Sequence, residues 1–211
     1  MKRLVEKLES SLSDDDTTAA LQDIIYHINN HPSELDKLKH ELIARRGVGG
    51  CIAPLYAILK DLDFIPSVTA KQKLPACVYR GESRNPFEIL KVGGFRPLGT
   101  QKGVIRHKAF TSESIYISAT RSLPIAIEFA SQHGSKWVYK LKPDNGICVN
   151  DFLHPVTLHQ AEMEIIFPHH VPVEQIQGVA IADTYNSLAT QFFTLDQTQQ
   201  IRKAMINYGI P

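Results

Sequence analysis

The spacing of apolar residues changes once along this 211-residue chain, and that change limits the folds it can adopt. Before residue 63, apolar residues recur every three or four positions, which is the period of an amphipathic helix. After residue 75 they gather in short stretches typical of strands. We therefore predict an α+β chain with a helical module at residues 1–70 and a second domain at residues 71–211.

The first seventy residues are predicted to form short helices. Asp14 to Asp16 place acids where a helix start favours them, and glycines at positions 47, 49 and 50 separate a third helix from a fourth. No motif here is tied to chemistry, so a packing or partner-docking bundle is the simplest interpretation. The apolar residues at helical spacing are Leu4, Leu8 and Leu12, then Leu21, Ile24, Ile25 and Ile28.

The second domain is predicted to combine short strands with a few flanking helices. The mixed order favours an α+β core over a doubly wound sheet, and the sequence has no glycine-rich phosphate loop of either common spacing. The predicted strands are Ala76–Arg80, Ile115–Ala119, Trp137–Leu141, Glu162–Phe167, Gly178–Ala182 and Gln191–Leu195. The predicted helices are Pro86–Lys91, Ser122–Gln132 and Gln197–Asn207.

Composition excludes several classes of protein. Apolar residues make up 43% of the chain, but no apolar stretch approaches the roughly 20 residues that cross a bilayer. The start turns acidic at Glu6, so we expect no signal peptide. The cysteines Cys51, Cys77 and Cys148 fit a reduced interior, although a bridge between Cys77 and Cys148 stays open.

Charge is distributed unevenly between the two parts. Residues 1–70 carry 8 basic and 11 acidic side chains, whereas residues 71–211 carry 15 and 11. Residues 89–112 contain five Lys or Arg, the histidine His107 and no acid. This stretch favours an anionic ligand or an acidic partner surface, but a solvated loop fits equally well. Nucleic acid is a weaker option, because the stretch offers only Phe95 and Phe110 for stacking.

Arg80 lies at the end of a predicted strand, followed by Gly81-Glu82-Ser83-Arg84 and a helix that starts at Pro86. A guanidinium at such a position can grip phosphate or ribose oxygens in a fork. The alternative is an ordinary ion pair, and Glu82 can also pair with Arg84 across the turn.

The strand Ile115–Ala119 runs into Thr120 and Ser122 just before a helix. A hydroxyl on this strand can hold another side chain in a cleft. Thr120 or Ser122 can equally be a helix N-cap, which is the ordinary interpretation.

Glu162 and Glu164 are two residues apart on a predicted strand, so their side chains project to the same face. Like charges this close repel each other. The pair suits a site in which one carboxylate stabilises a cationic sugar while the other activates a nucleophile. The alternative is the charged outer face of an edge strand.

In this order the motifs resemble the catalytic chain of the cholera toxin, heat-labile enterotoxin and pertussis toxin family of ADP-ribosyltransferases. The resemblance covers most of residues 76 to about 182. Its parts are the arginine strand Tyr79–Arg84, the Ser-Thr-Ser-like strand Tyr116–Thr120, the segment Val149–Leu153, the Glu-x-Glu motif Glu162–Glu164 and the strand Ile176–Val179.

The resemblance implies a split β-sheet core and a mono-ADP-ribosyltransferase that cleaves NAD+ without a metal ion. It implies that Arg80 holds the phosphate and ribose region, that Ser118 braces Glu164, and that Glu164 stabilises the oxocarbenium ion. Glu162 then positions or deprotonates the acceptor, a protein side chain and most often arginine. The residues implied to contact NAD+ are Arg80, Gly81, Arg84, Ser118, Thr120 and Glu164.

Two departures from the family pattern stand out. Ala119 replaces the middle Thr of the strand, and the active-site histidine of the family has no aligned counterpart, which leaves His107 a candidate. The helical module that precedes the arginine strand suggests an effector delivered into a host cell, or a cytoplasmic enzyme. Two alternatives stay open: another acceptor, such as threonine of ubiquitin or water, and an inactive fold that serves as a binding module. We expect no nucleic-acid partner.

Overall fold

The structure is a computed structural model that describes residues 1–62, 74–104, 107, 111–132, 137–150, 163–181 and 191–207. The chain forms two compact units. The first contains the N-terminal helices and Leu98–Ile115, and the second contains the β-sheets. The sequence-based division assigns Leu98–Ile115 to the second domain instead, and its limits 1–70 and 71–211 stay a prediction.

The first unit is built from helices whose apolar faces form a common core. The buried residues recur at helical spacing, as the sequence predicts, except that Leu12 lies beyond the end of the first helix and is 97% exposed. The helices are α1 Lys2–Glu9, α2 Asp14–Asn30, α3 Leu35–Gly50 and α4 Ile52–Lys60, with a 3-10 turn at Pro32–Glu34. The core includes Val5, Leu8, Ala20, Ile24, Ile28, Leu38, Leu42, Leu55 and Ile58.

Local signals explain the ends of these helices. Ser13 caps α2 by accepting a hydrogen bond from the backbone N–H of Asp16 at 3.1 Å, and acids fill the first turn. Gly47 has a φ of 68°, a left-handed conformation that suits glycine and kinks α3. The first of the three glycines that are predicted to separate the third helix from the fourth therefore lies at this kink.

The second unit contains a six-stranded and a two-stranded sheet. In the larger sheet the strand order is β5-β6-β3-β1-β4-β8 with antiparallel pairing throughout, and β2 pairs with β7. The strands are β1 Val78–Glu82, β2 Gly94–Phe95, β3 Tyr116–Thr120, β4 Trp137–Leu141, β5 Ile147–Cys148, β6 Glu164–Pro168, β7 Val171–Pro172 and β8 Ile176–Ile181. The flanking helices are α5 Pro86–Lys91, α6 Leu123–Gln132 and α7 Leu195–Asn207. The predicted α+β architecture is confirmed.

Strand alternation places two apolar clusters on opposite faces of the large sheet. Val78 and Tyr139 belong to the larger cluster, whereas Tyr79 and Val138 pack with the buried side of α6. Gly81 brings β1 against this helix. A Cβ atom at Gly81 would lie 2.6 Å from the backbone nitrogen of Ala130 and closer still to the carbonyl oxygen of Ala126, so only glycine permits this approach.

The strand predicted at Gln191–Leu195 is wrong. Thr194 Oγ1 accepts from the backbone N–H of Gln197 at 3.2 Å, and Gln197 Oε1 accepts from the backbone N–H of Thr194 at 2.8 Å. This reciprocal capping box starts α7 at Leu195. Phe193 keeps only an isolated bridge to Val179.

The three cysteines are free thiols, so the open possibility of a bridge between Cys77 and Cys148 is not realised. Among the residues described above, no helix is long and apolar enough to cross a membrane.

Candidate active site

One buried carboxylate at the end of β1 holds two arginines. Glu82 Oε2 accepts from Arg80 Nε at 3.1 Å and from Arg80 Nη2 at 3.0 Å. Arg84 donates through Nε to Oε1 at 3.1 Å and through Nη2 to Oε2 at 2.9 Å. The side chain of Glu82 is 8% exposed, whereas those of Arg80 and Arg84 are 23% and 33% exposed. We call these three residues the arginine cluster.

Electrostatics keep this cluster ionised and positive. Burial alone would raise the pKa of the Glu82 carboxyl, but hydrogen bonds and positive charge from Arg84 and Arg80 outweigh it and lower the pKa to about 2. The hydrogen bond with Glu82 raises the pKa of Arg84 in turn. Two guanidinium charges and one carboxylate leave a net charge of +1, which suits an anionic ligand.

An aromatic platform supports the two guanidiniums. The ring of Phe95 on β2 lies 5.4 Å from Arg80 Cζ and 5.9 Å from Arg84 Cζ, within cation–π range. Tyr139 packs edge-on against Phe95 at 5.0 Å. Phe95 and Tyr139 are fully buried, so the platform belongs to the core of the sheet unit.

The turn that carries Arg84 is fixed at both ends. Asn85 and Glu88 form a reciprocal capping box at the start of α5, and Pro86 occupies the first helical turn. The Tyr139 hydroxyl donates to the backbone carbonyl of Arg84 at 2.8 Å. Burial raises the pKa of Tyr139, so this hydroxyl stays protonated at neutral pH. The backbone of Arg84 is therefore held in place independently of its side chain.

Arg80 also connects β1 to β3. The register of these two strands pairs Tyr79 with Thr120. Near that pair, Arg80 Nη1 donates to the backbone carbonyl of Ser118 at 2.7 Å. The guanidinium thus supplies a hydrogen bond between two strands of the split core.

Glu164 lies on the other side of β3 from Arg80. It starts β6 and pairs with Thr120, while Ser118 pairs with Ile166. Residues paired across two strands share a face, and so do residues two apart on one strand. Glu164, Thr120 and Ser118 therefore project from the same face of this strand pair. Glu164 is 8% exposed and Thr120 is 5% exposed, so the carboxylate enters a largely enclosed environment.

Thr120 also shapes the start of α6. Its Oγ1 accepts a hydrogen bond from the backbone N–H of Ser122 at 3.0 Å. The helix starts at Leu123, and the backbone carbonyl of Ser122 accepts from the backbone N–H of Ala126 at 3.1 Å. Of the two residues considered as a helix N-cap, Ser122 therefore directly precedes the helix, whereas Thr120 bonds to Ser122 and lies opposite Glu164.

The sequence-based site residues fall into three groups. Arg80, Gly81, Arg84, Ser118, Thr120 and Glu164 all lie in the sheet unit. Glu162 lies outside the described residues. His107 is buried at 1% exposure and belongs to the first unit.

Sequence reasoning missed Glu82, Phe95 and Tyr139 as site residues. The spacing of Glu82, two residues from each arginine, is the available signal, but an ordinary ion pair across the turn explains that spacing equally well. Phe95 and Tyr139 carried no such signal, because an apolar aromatic residue in a short strand is normally a core residue. Gly81 acquires a packing role through α6, which the sequence did not indicate.

Comparison with known proteins places these observations in a family. The Scabin-like family profile matches residues 78–195, more than half of the chain and most of the sheet unit. A search of curated protein sequences found no match.

Solved structures with a similar fold include a variant of the Scabin toxin from Streptomyces scabies. It is 19% identical, with 63% of this chain and 82% of that chain covered at a TM-score of 0.52. A guanine-specific ADP-ribosyltransferase is 20% identical, with 63% and 85% covered at a TM-score of 0.50. At these identities the similarity establishes the fold.

These relatives agree with the predicted ADP-ribosyltransferase type, but they do not specifically support the cholera and pertussis toxin group. With its matched profile across the arginine cluster, β3 and Glu164, the chain belongs to the Scabin-like family.

Proposed function

We propose that this Scabin-like protein is an NAD+-dependent mono-ADP-ribosyltransferase. The observation that carries the proposal is the arrangement around β3. Arg80 donates to the Ser118 carbonyl of that strand, and Glu164 pairs with its Thr120. A positive cluster and a buried carboxylate thus flank one strand, which suits a ligand with an anionic pyrophosphate and a ribose that becomes cationic during reaction.

Each group has a defined part in this reaction. The N–H groups of Arg80 and Arg84 bind phosphate oxygens, and Glu164 accepts from a hydroxyl of the nicotinamide ribose. The bond between the ribose carbon and the nicotinamide nitrogen breaks, and nicotinamide leaves with the bonding electrons. The carboxylate of Glu164 stabilises the resulting oxocarbenium ion, and Ser118 braces Glu164.

The acceptor then attacks the same ribose carbon and loses a proton. Glu162 is the proposed group that positions the acceptor or takes this proton. The Glu-x-Glu motif suggests that the acceptor is an arginine side chain of a protein. That protein belongs to a host cell or to the cytoplasm in which the enzyme acts.

A guanine base is the second candidate acceptor. It is favoured by the solved relative named as a guanine-specific ADP-ribosyltransferase. This candidate stands against our sequence-based expectation of no nucleic-acid partner. Both acceptors present a planar nitrogen-rich group, so the acceptor has to be identified by experiment.

The test is nicotinamide release from NAD+, followed by chromatography, for the wild-type chain and for Glu164→Gln. We expect the substitution to reduce release about 100- to 1,000-fold, because it removes charge stabilisation from the developing cation. Glu174→Gln is the matched control, since Glu174 is an exposed glutamate of the same unit. Equal release by the wild type and Glu164→Gln would contradict the proposal and favour an inactive binding module.

The acceptor is identified in parallel reactions with agmatine, guanosine, a double-stranded oligonucleotide, ubiquitin and a cell lysate. Mass spectrometry then locates the added ADP-ribose. Modified agmatine or protein arginine supports the first acceptor, whereas modified guanosine or oligonucleotide supports the second. Nicotinamide release with unmodified acceptors indicates NAD+ hydrolysis.

A further inference from the structure

We propose that Glu82 is a positioning residue that aligns Arg80 and Arg84 for the pyrophosphate of NAD+. This inference rests on the proposed function, and it assigns Glu82 a part in the reaction without direct contact with substrate. The carboxylate touches both guanidiniums through four hydrogen bonds and therefore sets the distance and angle between them.

The hydrogen bonds of the cluster leave donors for a ligand. A guanidinium has five N–H groups. Within the described residues, Arg80 uses three of them, two toward Glu82 and one toward Ser118. Arg84 uses two, both toward Glu82. Arg84 is also the more exposed of the pair, so it presents the larger share of the remaining donors to an anion.

Without a shared carboxylate, the two guanidiniums would repel each other above Phe95. Both lie within 6 Å of the same ring, at 5.4 and 5.9 Å. Glu82 cancels one of their two charges and keeps a net charge of +1 for the ligand. The carboxylate therefore makes two adjacent cations compatible with a fixed geometry.

Glu82 itself is held by the backbone and does not behave as an anion that the substrate displaces. Glu82 Oε1 accepts from the backbone N–H of Ser83 at 3.2 Å and from its hydroxyl at 3.4 Å. The side chain is 8% exposed. If Glu82 competed with phosphate for the arginines, it would have to give up its hydrogen bonds to Ser83 when phosphate binds. A carboxylate that positions the arginines keeps those hydrogen bonds.

The first experiment compares Glu82→Gln with the wild type and with Glu174→Gln. Glu174 is an exposed glutamate of the same unit, so Glu174→Gln removes one negative charge away from the arginine cluster. Nicotinamide release gives kcat and KM for NAD+, and calorimetry with inorganic pyrophosphate gives anion affinity. We expect Glu82→Gln to lower kcat about 100-fold and to bind pyrophosphate at least as tightly as the wild type. Glu174→Gln should match the wild type in both measurements.

The two explanations differ in the sign of the kinetic effect. Glu82→Gln raises the net charge of the cluster from +1 to +2, so a competing carboxylate predicts tighter NAD+ binding and an unchanged or higher kcat. That outcome would overturn the proposal. A wild-type chain that binds pyrophosphate but releases no nicotinamide would contradict the proposed function. Failure of the proposed function can thus be told apart from failure of the positioning role of Glu82.

Glu82→Asp covers the case in which loss of a buried charge prevents folding. It keeps the charge but withdraws the carboxylate by about 1.5 Å, the length of one carbon–carbon bond. A positioning residue predicts a folded protein with kcat lowered at least about tenfold and pyrophosphate affinity close to wild type. Unchanged kcat in the folded Glu82→Asp protein would assign Glu82 to stability alone.

Discussion

The two units of this molecule use arginine and glutamate in opposite ways. In the helical unit, Arg45 pairs with Glu6 at 3.0 Å and Arg46 pairs with Glu9 at 2.6 Å. Each of these carboxylates meets one of the two arginines, and all four side chains are between 28% and 48% exposed. In the sheet unit, the 8% exposed Glu82 serves two arginines at once.

Exposure and the number of shared partners decide what an ion pair can do. A pair in contact with water gains little, because solvent and salt screen the attraction and side-chain entropy opposes it. A shared buried carboxylate cannot neutralise both partners, so charge remains at a fixed place. The helical unit uses its pairs to connect α1 with α3, whereas the sheet unit keeps a positive charge that can bind a ligand.

An Arg→Lys substitution in each unit gives the largest expected contrast in activity and stability. Arg80→Lys removes the fork toward Glu82 and the bond to the Ser118 carbonyl, because one ammonium cannot reproduce that geometry. We expect kcat/KM for NAD+ to fall about 100-fold, with a loss of about 1.5–3 kcal/mol in stability. Arg45→Lys should leave both quantities near wild type. Nicotinamide release and urea unfolding provide the two measurements, and equal effects at both positions would remove the distinction.

Lowering the pH should give the next largest contrast between the buried carboxylate of Glu82 and the exposed carboxylates. The folded-state pKa of Glu82, about 2, lies below the ordinary 4.5. Its stabilisation is therefore complete above about pH 4.5 and is lost as the pH falls toward 2, a loss of about 2–3 kcal/mol. Urea unfolding of the wild type and Glu82→Gln across this range measures it, and a constant difference between them would contradict the assignment.

Glu34 is the built-in comparison for that experiment. A hydrogen bond from His27, with help from Lys37, also lowers its pKa to about 2, but Glu34 lies at the surface of the helical unit. Because salt screens exposed charges, raising the ionic strength to about 1 M should move the pKa of Glu34 toward its ordinary value. The pKa of Glu82 should move less. Carboxyl chemical shifts from NMR titration resolve the two groups.

Phe95→Leu tests the platform with a smaller expected effect. The substitution keeps an apolar side chain in the core but removes the ring beneath both guanidiniums and the edge-on contact with Tyr139. We expect kcat/KM for NAD+ to fall about fivefold to tenfold, equivalent to about 1 kcal/mol of lost cation–π attraction. Phe95→Tyr retains a ring and serves as the control. A wild-type rate for Phe95→Leu would mean that Glu82 aligns the arginines without help.

The smallest effect is expected for the exposed pair between Arg46 and Glu9. Arg46→Gln should lower the free energy of unfolding by less than about 1 kcal/mol and leave nicotinamide release unchanged. Thermal unfolding and the release assay check both statements. A large loss of activity would show that the helical unit contributes to catalysis through this pair.

Much of the fold follows from local sequence signals. The strand Trp137–Leu141 and the helix Pro86–Lys91 have the predicted bounds, since turn residues and a capping box delimit them. The aromatic residues of Gln191–Leu195 favour β structure and so predict a strand, whereas the cap formed by Thr194 and Gln197 starts a helix at Leu195.

The motif residues of the candidate site can be predicted from the sequence, but the residues that hold them in place cannot. Arg80, Ser118 and Glu164 stand at motif positions along the chain, so a resemblance can identify them. The support that Phe95 and Tyr139 give to the arginines depends on strands paired across long sequence distances, and single-sequence patterns do not encode such contacts.

The contact between Gly81 and α6 has a consequence for how this protein can change over evolution. Gly81 lies between Arg80 and Glu82, and its backbone rests directly on that of the helix near Ala126 and Ala130. Any side chain added there must displace either the helix or the strand that carries both charges. Position 81 is therefore closed to substitution in every descendant that keeps the arginine cluster.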